Sequence, residues 1–160
     1  MKYKTVKYGD PLLIEFCKLV HAAEVDKEYK FWFTEDRMSK KFHNVELCLV
    51  DNIPISFSGC SIVDNKLRVS QQHYTLPMYR QQFRDLLIRP NGFIDRHFIT
   101  ARSLGIDTLL VTMHSFNKKT ETVVKLYDKR RKHYRHLKDL IYTGIHKISY
   151  VPQHCYEMKI

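Results

Sequence analysis

Arg89-Pro90-Asn91-Gly92-Phe93 is the segment whose residue types and order best suit chemistry. A basic side chain, a capping amide and a glycine stand just before an amphipathic stretch. Backbone N–H groups at a helix N-terminus attract anions, and glycine lets an anion approach the chain. The same residues also suit an ordinary capped turn. Groups able to take a proton are Glu46, His73 and His114, all in strand-like segments; His114, ending an apolar strand, suits a structural role equally well. Nothing resembles a Ser-His-Asp triad, a P-loop or a metalloprotease motif. His133 and His136 can share a helix face, but two imidazoles without a third ligand make a weak metal signal, and no metal site is expected.

Charge adds a second feature. The net charge is +10, and Lys118, Lys119, Lys125, Lys129, Arg130, Arg131, Lys132, Arg135 and Lys138 face only Glu121 and Asp128 over the same stretch. Tyr127, His133, Tyr134 and His136 are interleaved with them. Such a run attracts polyanions (nucleic acid, an acidic protein, coenzyme phosphates) without choosing among them. A solvated helix face is the commoner outcome.

The elements that must position these residues follow from periodicity. Residues 3–8 alternate as a first strand does. Asp10 and Pro11 then cap a helix running to about residue 23, with Leu12, Leu13, Phe16, Cys17, Leu19, Val20 and Ala23 as its apolar stripe. Thr34, Glu35 and Asp36 start a short helix ending near Phe42. Strands over 45–50, 55–63 and 66–76 are separated by Asp51-Asn52 and Asp64-Asn65, which suit hairpins and an antiparallel meander. A helix over 92–105 closes on Gly105, and a fully apolar strand over 108–114 reads as one flanked by helices. A helix over about 118–131 and strands over 145–151 and 154–160 complete the chain.

The order is β-α-α-β-β-β-α-β-α-β-β, a mixed α/β fold with a central sheet of about seven strands flanked by helices. At 160 residues, without repeats or linkers, a single domain over 1–160 is expected. The chain is 44 % hydrophobic and 28 % charged, with no apolar run long enough to cross a bilayer and no signal-peptide core, so a cytoplasmic protein is expected. Cys17, Cys48, Cys60 and Cys155 lack C-x-x-C spacing, and three fall in apolar stretches where a thiol acts as a small hydrophobe.

Several phrases resemble those of the GNAT acyltransferase superfamily. His73-Tyr74-Thr75-Leu76-Pro77-Met78-Tyr79-Arg80 is similar to the family's strand-four ending, apolar-x-Pro-x-Tyr-Arg. Leu104-Gly105-Ile106-Asp107 and the strand after it resemble the exit from helix three into strand five. Leu126-Tyr127-Asp128-Lys129 resembles the Leu-Tyr-x-Lys phrase, and His154-Cys155-Tyr156-Glu157-Met158 the last strand. The resemblance covers about residues 44–160, and the Lys- and Tyr-rich chain is also similar to phage-encoded relatives.

It implies an N-acyltransferase that binds acetyl-CoA between strands four and five and passes the acetyl group to an amine by direct attack. The acceptor would be a small molecule or a protein. His73 and Thr75 would offer main-chain groups to the pantetheine. Arg80, or Arg89 with Asn91, Gly92 and Phe93, would hold the phosphates, with Asn91 also able to cap the helix. Asn117 would contact the coenzyme, Tyr127 would protonate the leaving thiolate, and His73 ranks first as base. The phosphate loop departs from the family's Arg/Gln-x-x-Gly-x-Gly/Ala. The window from Arg80 carries Phe83 in place of glycine; the window from Arg89 restores Gly92 but carries Ile94, with 81–88 as an insertion bearing Arg84. Asn117 and Tyr127 are ten positions apart, against the family's usual seven. The altered loop leaves open a catalytically degenerate GNAT-fold binding module that contacts nucleic acid or an acidic partner through 118–138. A relative of the autoinducer synthases is a minor alternative. No membrane partner is expected, and an exposed strand edge could pair two copies as a homodimer.

Overall fold

The computed structural model describes residues 1–160 except 26, 71–72, 115–124, 126–127, 130–131, 133 and 149. In chain order the strands are β1 (Lys2–Val6), β2 (Asn44–Val50), β3 (Ile53–Val63), β4 (Lys66–Ser70), β5 (Tyr74–Thr75), β6 (Thr108–His114), β7 (Ile141–Ile148) and β8 (Val151–Lys159). The helices are α1 (Pro11–Ala23), α2 (Lys27–Trp32), α3 (Glu35–Lys41) and α4 (Phe93–Ser103). The strands make one mixed sheet in the order β1-β2-β3-β4-β6-β8-β7, with β5 on β3. The count exceeds the expected seven because residues 66–76 form two strands. The chain groups into two compact units, Met1–Ser61 with Gln72–Asp85, and Ile62–Gln71 with Leu86–Ile160.

In the first unit β1, β2 and β3 are antiparallel neighbours. Asp51 and Asn52 both adopt positive φ, as do Asp64 and Asn65, the backbone that two-residue hairpins demand and that Asp and Asn tolerate. Asp10 caps α1 by accepting from the Leu12 N–H at 2.9 Å, and Thr34 caps α3 by accepting from Arg37 at 3.3 Å. Leu13, Phe16 and Val20 on α1 meet Phe33, Leu47, Phe57 and Tyr74 in one apolar cluster. Phe16 and Phe33 each pack edge-on or tilted against Phe57 and Tyr74, with ring centroids 5.0–6.4 Å apart. α2 is the one described helix that periodicity does not announce: its described side chains Lys27, Lys30, Phe31 and Trp32 are exposed.

A Cβ built on Gly59, in β3, would lie 2.3 Å from the Phe42 ring. Gly59→Ala is therefore expected to cost about 1–2 kcal/mol in urea unfolding, with part recovered when Phe42→Leu is added. Equal costs with and without the Phe42 change would contradict this contact as the cause.

In the second unit β4 pairs with β6 in parallel, β6 with β8 antiparallel, and β8 with β7 antiparallel. β6 thus has a strand on each side, and Leu109, Leu110, Val111 and Met113 are buried, as in a strand covered on both faces. Gly105 stands one position past the cap of α4 at φ +68°. The Ile106 N–H bonds the Ala101 carbonyl at 2.9 Å and the Gly105 N–H bonds that of Arg102 at 3.2 Å, a Schellman end. The closing strands depart from expectation. The turn lies before Val151, not at Pro152-Gln153, with Tyr150 at φ +68°, and Pro152 opposes Lys147 inside β8. A proline in a strand reads as a break unless it falls where no ladder bond is needed.

All four cysteines are buried. Burial pushes the Cys17 thiol up to about 12 and that of Cys60 to about 11, so both act as hydrophobes and not as nucleophiles. Among the described residues no helix is long and apolar enough to cross a membrane.

Candidate functional site

The start of α4 is held by the chain itself. Gly92 is the N-cap and is buried; Asn91, expected as a cap, instead stands one position earlier at φ +59°. An N-cap normally accepts with its side chain, and glycine has none, so backbone groups do that work. The Gly92 N–H bonds the Arg89 carbonyl at 2.9 Å, Phe93 that of Leu86 at 2.9 Å, and Ile94 that of Leu87 at 3.0 Å. The Asp95 carboxylate, in the first turn, reaches back to the Asn91 N–H at 2.6 Å. His136 stands 3.7 Å from the other Asp95 oxygen. Leu86, Leu87 and Ile88 are buried, so the end of the expected insertion packs as core and lends its carbonyls to the helix. The donors of residues 91–94 thus all have partners inside the protein, and Asp95 brings a negative charge to the place an anion would occupy. In this conformation these amides do not fit a diphosphate.

Arg80 is likewise engaged. Its Nε donates to the Thr75 carbonyl at 2.8 Å, its Nη2 lies 3.5 Å from Glu24, and its guanidinium is 5.1 Å from the Tyr74 ring centre. Tyr74 donates its hydroxyl to the same Glu24 carboxylate. β5 pairs with β3 through Ser56↔Thr75 and Phe57↔Tyr74, and the Ser56 hydroxyl meets the Tyr74 carbonyl and the Thr75 hydroxyl, each at 2.8 Å. His73 is exposed just before β5. Phe83, at the position of a missing glycine, packs on Tyr79 at 6.2 Å. Glu46 is buried and accepts from Thr5 at 2.8 Å. Asn117 and Tyr127 lie outside the described residues, as does most of 115–131.

The parallel ladder between β4 and β6 runs from Leu67↔Leu109 to Ser70↔Thr112, and on its other side β6 pairs with β8 as far as His114↔Gln153. Residues 71–72, which follow β4, lie outside the described residues.

One group there went unnoticed in the sequence. Arg68 projects from β4 with Nε donating to Thr112 Oγ1 at 2.9 Å and Nη2 to Gln153 Oε1 at 3.1 Å. Desolvation lowers its pKa below the usual arginine value. Lys66, two residues earlier, pairs with Glu157. The alternation Lys66-Leu67-Arg68-Val69 was the available signal, a strand with one basic face.

No protein-family model and no curated protein matches the chain. Solved structures do. An aminoglycoside 6'-N-acetyltransferase complexed with coenzyme A superposes with TM-score 0.64 at 11 % identity, over 99 % of this chain and 97 % of that one. The PaiA N-acetyltransferase from Thermoplasma acidophilum in complex with coenzyme A gives 0.61 at 12 % identity, over 100 % of both. A GNAT-family acetyltransferase from Bacillus cereus ATCC 10987 gives 0.52 at 13 % identity, over 99 % and 98 %. The chain has the GNAT fold. At these identities the likeness is one of architecture, and it reaches the N-terminal third, where the sequence carries no specific phrase.

Proposed function

We propose that this chain is an N-acyltransferase that uses acetyl-CoA and an amine acceptor. The observation that carries the reading is the full-length likeness in fold to two N-acetyltransferases solved with coenzyme A. The pantetheine arm is extended and amide-bearing, and a sheet can take such a group as an added strand. The reaction it implies is direct: the amine nitrogen attacks the thioester carbonyl, the C–S bond breaks, and the thiolate takes a proton. Holding both reactants together supplies much of the acceleration. Tyr127 is the proposed proton donor and His73 the proposed base. The diphosphate is not assigned to residues 91–94, whose donors are already bonded.

That last observation favours a second reading, a GNAT-fold binding module without catalysis. Lys125, Lys129 and Lys132 belong to its basic segment, and Lys125 and Lys129 are exposed. Hydrogen exchange separates the two. If the chain is a transferase, coenzyme A is expected to slow exchange in peptides covering 109–114. Protection confined to the basic segment on adding single-stranded nucleic acid, with none from coenzyme A, would support the module and contradict the transferase.

A further inference from the structure

We propose that Arg68 anchors a carboxylate on the acceptor, so that the amine acylated by this protein belongs to an amino acid or a related amino carboxylate. The inference rests on the transferase reading for its word "acceptor", whereas the anion site itself stands on the second unit alone.

Arg68 is partly buried, and both of its partners, Thr112 and Gln153, are buried and neutral. Among the described residues no carboxylate lies within ion-pair distance of its guanidinium. The neighbouring cation is neutralised, because Lys66 is paired with Glu157. A desolvated charge held by neutral acceptors is costly, and folds normally answer it with a counterion. Here the fold fixes the charge without answering it. Thr112 and Gln153 take Nε–H and one Nη2–H, which sets the plane of the guanidinium and leaves Nη1 and the second Nη2 proton for a ligand. Those are the donors that grip a carboxylate in a two-pronged bond. One uncompensated charge matches a monoanion better than a doubly charged phosphate. The location adds the link to acylation: Arg68 stands on β4 and its partner Thr112 on the neighbouring β6. On the transferase reading the coenzyme arm lies between these strands, so the guanidinium is bonded to a strand that lines it.

The first arm of the test needs no turnover. The Arg68 Nε–H resonance of the intact chain is followed by NMR while sodium acetate or neutral acetamide is added at constant ionic strength. A saturable shift with acetate and none with acetamide is expected. No saturable shift with acetate, or equal shifts with both, overturns the site. In the second arm, acetyl transfer to each common amino acid is compared with transfer to its carboxamide. The charged partner should be favoured about 10- to 100-fold in kcat/KM, the range of one charge-assisted hydrogen-bond pair. Arg68→Gln should erase that preference, and Arg68→Lys should keep only part of it. Lysine retains the charge if the glutamine variant fails to fold. Equal use of both partners by the unaltered chain overturns the proposal. Loss of all transfer with the acetate shift intact would sink the transferase reading and leave the anion site standing.

Discussion

Replacing Gly92 by alanine should cost about 3 kcal/mol and lower Tm by about 10 °C. The backbone angle is not the reason, since φ is −90° and any residue adopts it. The reason is space: a Cβ at this position would lie 2.4 Å from the Leu86 carbonyl oxygen and 2.8 Å from that of Arg89. Both are backbone atoms, and both carbonyls accept hydrogen bonds from the start of α4, Leu86 from Phe93 and Arg89 from Gly92 itself. Making room for a methyl group therefore means breaking the bonds that seat the helix. Gly105 provides the internal comparison. It has the unfavourable angle, φ +68°, but open space around it, so Gly105→Ala should cost only about 1 kcal/mol. Thermal unfolding of the two variants should rank them in that order, and the reverse order would contradict the closed turn. Because Gly92 is structural, its replacement does not isolate coenzyme binding.

The second large effect is on pH. His97, in α4, is fully buried, and burial, helped by the nearby Arg96 charge, pushes its pKa down to about 3 from 6.5. The folded chain thus keeps His97 neutral where the unfolded chain protonates it. Above about pH 6.5 neither state binds the proton and stability is full. As pH falls from 6.5 towards 3 the unfolded state gains a proton that the native state refuses, and stability declines by about 1.4 kcal/mol per pH unit. Urea unfolding at pH 7.5 and at pH 4.5 should differ by roughly 2–3 kcal/mol from this residue alone. His97→Phe should flatten that part of the acid limb, whatever it does to stability at pH 7.5. An acid limb of unchanged slope in the variant would rule out a buried neutral histidine.

Much of the frame is legible from local rules, because those rules are strong here. Asp10-Pro11, Thr34 and Gly105 end helices as their chemistry requires, and Asp51-Asn52 and Asp64-Asn65 turn two hairpins. β6 spans the expected residues because its run of buried Leu109, Leu110, Val111 and Met113 suits a strand covered on both faces. What stayed hidden depends on tertiary context. The described side chains of α2 are exposed, so they give no periodic stripe, and Pro152 is accommodated in a strand by pairing that the sequence does not reveal. Arg89-x-x-Gly92 looks like an anion loop, but whether its donors face a ligand or the chain's own carbonyls is decided by residues 86–87 folding back. Arg80 likewise carries a motif yet spends its donors on Glu24 and Thr75. Arg68 carries no motif, and its bonds to Thr112 and Gln153, with no carboxylate opposite among the described residues, appear only in the packed sheet.

The transferase reading requires that the chain bind a thioester of coenzyme A. The direct measurement is calorimetric titration of the intact chain with acetyl-CoA. Saturable heat, with free coenzyme A competing for the same site, is the predicted result. No heat above dilution with acetyl-CoA raised to millimolar concentration would contradict it.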